Sequence, residues 1–116
     1  MNVKVIPTVP FKRNVKPLLK KFPSLKVELK ELEKELQLNP KLGVPIGKNA
    51  YKIRLSVKSK GRGKSGGLRV VTFLVVKVIE NVTNVYLLAI FDKSEYENIQ
   101  DRKILDRINA VLESEQ

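Results

Sequence analysis

The stretch YKIRLSVKSKGRGKSGGLR, residues 51–69, is the part of the sequence around which the rest is arranged. Over residues 51–58 apolar and polar residues alternate, which is typical of a β-strand with one buried face. The polar face of this strand carries Lys52 and Arg54. The strand leads into a loop, residues 59–67, in which four glycines stand among Lys and Arg, and glycine lets the backbone approach a ligand closely. We therefore expect this strand and loop to bind a polyanion.

The composition limits the class of protein and the chemistry. With 116 residues the chain is long enough for one packed core, and we expect a single domain over residues 1–116. No apolar stretch reaches the roughly 18 to 20 residues that span a bilayer, and no secretion signal is evident, so we expect a soluble, cytoplasmic protein. Cysteine and histidine are both absent. Disulfides, the usual zinc ligands and the usual general base are thereby excluded, and we expect no metal and no cofactor.

The formal charge of +11 is unevenly distributed along the chain. No carboxylate precedes Glu28, and none lies between Glu35 and Glu80. A cationic surface of this kind indicates a nucleic acid, an anionic membrane or an acidic protein as the partner. A role in solubility alone is the alternative interpretation.

Hydrophobic periodicity predicts the secondary structure. We expect a first strand over residues 2–6, a first helix with Thr8 as its cap, a second helix after Ser24, strands over residues 51–58, 68–79 and 82–91, and a last helix capped by Asp101. The first helix buries Phe11, Val15, Leu18 and Phe22, and the second buries Leu25, Leu29, Leu32 and Leu36.

Two features of this pattern affect the predicted fold. Pro17 falls inside the first helical pattern, so that helix either kinks or begins late with Asn14 as its cap. Residues 42–49 contain Gly43, Pro45 and Gly47 and are predicted to form a loop. Short connections between the strands then favour an α+β fold: an antiparallel sheet of about four strands, a two-helix N-terminal hairpin and a C-terminal helix, with the helices on one face.

The sequence Gly63-Lys64-Ser65 is similar to the end of a nucleotide-binding P-loop. That motif requires a further glycine where this chain has Lys58, and it leads into a helix, whereas this loop precedes a predicted strand. We reject a P-loop here and expect the loop to bind anions through its cations and exposed amides.

Four short stretches occur in a characteristic order: YKIRL at 51–55, KGRGKSGG at 60–67 followed by LRVV at 68–71, VYLL at 85–88, and DKSE at 92–95. Together they resemble the RelE/ParE family of toxins from bacterial toxin–antitoxin pairs, most closely the HigB-like RelE branch with its glycine-rich insert. The resemblance covers nearly the whole chain. It implies an antiparallel sheet flanked by helices, a cognate antitoxin and, in the RelE branch, cleavage of mRNA in the ribosomal decoding site.

Cleavage of RNA by its own 2′-hydroxyl group needs a base for the proton, cations for the charge that develops on phosphorus, and an acid for the leaving oxygen. Clustered cations lower one another's pKa, so a lysine among arginines can act as the base while arginine holds the phosphate. A substrate held by the ribosome would supply the positioning that such a site requires.

The resemblance assigns roles to individual residues. Lys52 is expected to transfer the proton, Arg54 and Arg69 to stabilise transition-state charge, and Lys93 to contact the phosphate or the leaving oxygen. The family often carries a tyrosine near the end of the last strand, and Tyr96 is the candidate here to stack on a base or donate a proton. The cations expected to bind the RNA backbone are Lys58, Lys60, Arg62 and Lys64. For each residue the alternative is a solvated surface side chain.

The leading hypothesis is a ribosome-dependent, metal-independent mRNA endonuclease, the toxin of a type II toxin–antitoxin system. Its expected partners are mRNA, the ribosome with its 16S rRNA, and an antitoxin that covers the basic face, with no membrane or small-molecule cofactor. A gyrase-directed toxin of the ParE branch and a non-catalytic RNA-binding module are the alternatives. Phe and Tyr together make up 6% of the chain and Trp is absent, which disfavours the binding module because few side chains are available to stack on bases.

Overall fold

The computed structural model describes residues 2–60, 67–93 and 101–116, with Asp101 described by its backbone only. The elements follow the order β1 (Asn2–Pro7), α1 (Val9–Lys21), α2 (Leu25–Leu38), β2 (Val44–Gly47), β3 (Ala50–Leu55), a 3-10 turn (Lys58–Lys60), β4 (Leu68–Lys77), β5 (Val82–Asp92) and α3 (Asp101–Glu115). The strands form one five-stranded sheet in the order β1-β5-β4-β3-β2. β1 pairs with β5 in parallel, and the other neighbours are antiparallel.

The sheet corrects the prediction of about four antiparallel strands. The additional strand is β2, which lies in residues 42–49, where a loop was predicted; Val44 pairs with Lys52 and Pro45 with Tyr51. Pro45 is tolerated because β2 is an edge strand. The α1–α2 hairpin and the following strands separate β1 from β5 in sequence, which supplies the long connection that a parallel pair requires.

The helices cover both faces of the sheet, which corrects the prediction that they pack on one. α1 and α2 cover one face, and their buried residues include Phe11, Leu25 and Leu36. α3 covers the other face with Ile104, Ile108 and Val111, which pack on β4 and β5. The reason lies in β4 and β5, whose side chains are apolar on both faces, so that each face must be shielded from water.

α1 does not begin late with Asn14 as its cap, which was one of the two alternatives that Pro17 left open. α1 begins at Val9, and the Thr8 hydroxyl accepts a hydrogen bond from the Phe11 N–H at 3.4 Å, so Thr8 caps the helix as predicted. Pro17 lies within α1 and is exposed. Asn14 does not cap the helix. In the part of the chain that the structure describes, no helix has the length and apolar character needed to cross a membrane.

Arg107 fixes the middle of α3 to the sheet. Its Nη1 donates to the carbonyl oxygen of Leu88 at 2.7 Å and to Asn14 Oδ1 at 3.0 Å. Leu88 lies in the irregular part of the β4–β5 pairing, where the register shifts between Val71 and Thr72. An extra residue in one strand leaves a backbone group without its ladder partner, and Arg107 supplies that partner here. Burial lowers the pKa of the guanidinium.

Glu115 fixes the end of α3. Its carboxylate receives Lys77 Nζ at 2.8 Å, Asn84 Nδ2 at 3.1 Å and the hydroxyl of Tyr86. These donors, Lys77 first and Tyr86 second, lower the pKa of Glu115 to about 2. We call Lys77, Asn84, Tyr86 and Glu115 the α3 clamp.

Candidate functional site

Three cations lie together on the face of the sheet that α3 covers. Arg54 of β3 and Arg69 of β4 are directly opposite each other, and Lys52 is opposite Val71. The residues that alternate with Lys52 and Arg54 are Tyr51, Ile53 and Leu55, which pack beneath α1 and α2. Side chains alternate between faces along a strand, so Lys52 and Arg54 are on the opposite face. We call Lys52, Arg54 and Arg69 the cation row.

The three side chains of the cation row differ in their exposure to solvent. Arg69 is only 4% exposed, Lys52 is half-buried and Arg54 is exposed. Arg69 is opposite Phe91 of β5, which packs in the cluster beneath α3. Arg69 Nη1 also donates to the carbonyl oxygen of Leu68 at 3.3 Å. The row therefore leads from solvent at Arg54 to a largely enclosed guanidinium at Arg69.

The groups around Arg69 act on its charge in opposite directions. Burial lowers its pKa, the positive charge of Arg54 lowers it further, and the carboxylate of Asp92 opposes both effects. Arginine nevertheless stays protonated at any physiological pH. Like charges directly opposite each other destabilise a sheet. An anion placed between Arg54 and Arg69 would relieve this repulsion, and a phosphate suits two guanidinium groups because each can donate two hydrogen bonds to it.

Asp92 is a buried carboxylate. It belongs to the DKSE stretch, but no role was predicted for it from the sequence. It is 3% exposed at the end of β5, opposite Leu68, and its Oδ2 lies 3.3 Å from Lys60 Nζ. The Lys60 ammonium is also 5.7 Å from the ring centroid of Phe22. A carboxylate at the end of a strand, within a chain so rich in cations, is the sequence signal that indicates this pairing.

Side chains of α2 and of the N-cap residue that precedes it hold the start of the basic loop. The backbone N–H of Lys58 donates to Glu28 Oε2 at 2.6 Å, and that of Ser59 donates to Ser24 Oγ at 3.0 Å. At the other end of the loop, a Cβ on Gly67 would collide with the carbonyl oxygen of Leu55. Residues 58–60 and Gly67 are therefore fixed to α2 and β3.

The structure brings together some of the predicted site residues and separates others. Lys52, Arg54 and Arg69 are on one face, whereas Lys60 is directed to Asp92 and Phe22 beside the helical hairpin. Lys93 is exposed immediately after β5, and Lys58 is exposed at the start of the 3-10 turn. The remaining candidates, Arg62, Lys64 and Tyr96, lie outside the described residues. Among the described residues, no group of three or more carboxylates is arranged to hold a metal ion.

A cavity of about 540 Å³ lies elsewhere, between α3 and the junction of β1 with α1. Its lining includes Ile6, Val9, Tyr86 and Val111, with Arg107 as a cation. Arg107 already donates to a backbone carbonyl and to a side-chain amide. We therefore place the candidate site at the cation row.

The fold of this chain is similar to that of a solved bacterial toxin. No protein-family model matches the chain. Among solved structures, the fold is similar to that of an arginine-to-alanine double mutant of the E. coli toxin RelE in the free state, with a TM-score of 0.53 and 20% sequence identity. The match covers 84% of this chain and 90% of that one. At this level of identity the likeness concerns the fold.

Proposed function

We propose that this protein is the toxin of a type II toxin–antitoxin pair and acts as a ribosome-dependent endoribonuclease that cleaves translated mRNA. The observation that carries the proposal is the cation row, in which the buried Arg69 is directly opposite Arg54 on the neighbouring strand. The RelE-like fold supports the same function because it is the fold of a toxin. The HigB-like branch remains the closest proposed assignment, on the basis of the glycine-rich insert.

The proposed reaction uses the 2′-hydroxyl of the RNA as the nucleophile. Its oxygen attacks the adjacent phosphorus, the bond from phosphorus to the 5′-oxygen breaks, and the products are a 2′,3′-cyclic phosphate and a 5′-hydroxyl. Arg54 and Arg69 hold the phosphate and stabilise the charge that develops on it. Lys52 takes the 2′-hydroxyl proton, since it lies on the same strand face as Arg54. The proton for the leaving oxygen is assigned to Lys93 or Tyr96, and no metal ion takes part.

The basic loop has a different proposed role. Lys58, Arg62 and Lys64 contact the phosphate backbone of messenger or ribosomal RNA, and Lys60 contributes its charge from the position where Asp92 holds it. The ribosome presents the mRNA, which compensates for weak acid–base groups by fixing the substrate geometry. A cognate antitoxin would neutralise the protein by covering the basic face. These partners place the activity in the cytoplasm.

Induced expression in growing bacteria tests the proposal. Growth is followed, and the 5′ ends of cellular messages are mapped, for the native chain, the Arg54→Gln variant and a Lys30→Gln control. Arg54 and Lys30 are both exposed, so neither substitution disturbs the core. The native chain and the control are expected to stop growth and to create new 5′ ends inside translated messages. Arg54→Gln is expected to abolish both effects, because a positive charge that holds the phosphate is lost.

Two other outcomes would replace the proposal. Growth arrest with intact messages and DNA damage signalling would favour a gyrase-directed toxin. Tight, salt-sensitive RNA binding with neither arrest nor cleavage would favour a non-catalytic RNA-binding module.

A further inference from the structure

A second basic surface lies on α1, away from the cation row. Phe11, Val15 and Leu18 are the buried residues of this helix. Arg13, Lys16 and Lys20 are exposed on the opposite side, at the spacing that places side chains in one row along a helix. We call Arg13, Lys16 and Lys20 the α1 row. Among the residues that the structure describes, no carboxylate lies within ion-pairing distance of these three cations.

The neighbouring helix α2 is also exposed to water but does not carry such an excess of positive charge. α2 alternates lysine with glutamate on its exposed side, for example Lys30 with Glu31 and Glu33 with Lys34. α1 contains five Lys and Arg residues and no carboxylate. The two helices of this hairpin therefore differ in charge: the lysines of α2 have glutamates beside them, whereas the exposed side of α1 carries cations and no carboxylate.

Helix stability does not explain the cations in the first half of α1. A carboxylate in the first turn of a helix is stabilising, because it faces the positive end of the helix dipole. The first turn of α1 has no carboxylate, and Lys12 and Arg13 follow it directly. Lys20 and Lys21 at the other end are favourable to the dipole, whereas Lys12 and Arg13 are not. Positions that forgo such local stability are often positions with a function.

The α1 row and the cation row cannot contact the same phosphate. α1 covers one face of the sheet, and the cation row lies on the other. A helix with its side chains is about 10 to 12 Å across, so at least the sheet and one helix separate the two rows. A ligand that contacts both must be large enough to surround the molecule.

We propose that the α1 row binds the sugar–phosphate backbone of a structured RNA, while a different RNA segment occupies the cation row. Arg13 and Lys20 are separated by roughly 10 Å along the helix axis. Over that length one strand of a nucleic-acid duplex presents about three phosphates. The proposed function supplies the reason for choosing RNA over other polyanions, since the ribosome surrounds a bound translation inhibitor with structured RNA.

An acidic protein is the less suitable partner for this surface. The central parts of protein interfaces are depleted of charge and enriched in aromatic side chains. The α1 row contains only cations, and the aromatic residue of α1, Phe11, is buried in the core. Phosphate recognition needs cations alone.

Salt-dependent binding to a defined RNA duplex tests the inference. The triple variant Arg13→Gln, Lys16→Gln, Lys20→Gln is compared with a matched control, Lys26→Gln, Lys30→Gln, Lys34→Gln, which removes the same charge from exposed positions of α2. Glutamine and lysine have similar helix propensities, so both variants should fold. Affinity is measured between about 50 and 200 mM salt, the range over which phosphate contacts weaken steeply. Binding of polyglutamate and cleavage of translated mRNA are measured on the same proteins.

The α1 variant is expected to bind the duplex at least about tenfold more weakly and to reduce the slope of log affinity against log salt by about 2 to 3, against less than about 1 for the control. That result supports the inference even if the native protein fails to cleave mRNA, which would overturn the proposed function alone. Equal losses in both variants would show that only net charge matters, and would overturn the inference. A loss confined to polyglutamate binding would also overturn it, in favour of an acidic protein partner.

Discussion

Replacing Glu115 by glutamine should destabilise the protein in a pH-dependent manner. The carboxylate of Glu115 accepts from Lys77, Tyr86 and Asn84, and its pKa is lowered from 4.5 to about 2. One pKa unit corresponds to about 1.4 kcal/mol, so the full shift corresponds to about 3 kcal/mol. The side chain lies near the surface, where solvent screens charges, and we therefore expect about 1 to 2 kcal/mol.

The direction of the pH effect follows from the lowered pKa. In the folded protein the carboxylate is ionised more readily than in the unfolded chain, so its stabilising contribution is complete above about pH 5. That contribution is lost as the pH falls through the folded pKa of about 2. The free energy of unfolding of Glu115→Gln should thus be lower than that of the native protein at pH 7, and the difference should disappear near pH 2.

Urea unfolding followed by circular dichroism, repeated at several pH values, measures this difference. Glu113→Gln is the matched control, because Glu113 is an exposed carboxylate in the same turn of α3. The control should change the free energy of unfolding by less than about 0.5 kcal/mol. Equal stability of Glu115→Gln and the native protein at pH 7, or a difference that persists unchanged at pH 2, would refute the role assigned to the α3 clamp.

Four further substitutions, one of them a control, test the packing. Leu36→Ala removes a side chain that is 0% exposed and should lower the free energy of unfolding by about 2 to 5 kcal/mol. The control Leu38→Ala removes a side chain that is 89% exposed and should change it by less than about 0.5 kcal/mol. Equal effects of the two substitutions in urea unfolding would contradict the assigned core. Thr8→Ala removes the α1 cap and a hydrogen bond to β5, and a loss of about 1 kcal/mol is expected in the same assay. Gly67→Ala forces a Cβ against the backbone of β3 and should cost about 1 to 3 kcal/mol; an unchanged unfolding midpoint would argue against that close approach.

The sequence predicted the features that depend on neighbouring residues. The Thr8 cap and the apolar stripe of α1 are confirmed, as is the seam of α2. Alternation along residues 51–58 placed Lys52 and Arg54 on one face, which is confirmed, although the strand ends at Leu55 and Lys58 begins the 3-10 turn. In each case a repeat of 2 or 3.6 residues decides which side is buried, and such repeats are visible in a single sequence.

The features that were missed depend on long-range pairing. β2 is a short edge strand with Pro45 and glycines, so its local composition is that of a loop, and only pairing with β3 makes it a strand. The helices were predicted to pack on one face of the sheet, and the sequence did not indicate that α3 covers the other face of β4 and β5. The Asp92–Lys60 contact and the bond from Arg107 to the backbone of β5 likewise join residues that are distant in sequence.

The most direct test of the proposed RNA cleavage uses purified protein and one defined message, presented either free or on a ribosome with an open decoding site. The native protein should cut the ribosome-bound message, leaving a 2′,3′-cyclic phosphate and a 5′-hydroxyl, and should leave the free message largely intact. Arg54→Gln should lower the single-turnover rate about 100-fold or more, since it removes one of two groups that stabilise the developing charge. An intact ribosome-bound message in the presence of folded native protein, or cleavage by Arg54→Gln at the native rate, would contradict the assignment of the cation row as the catalytic site.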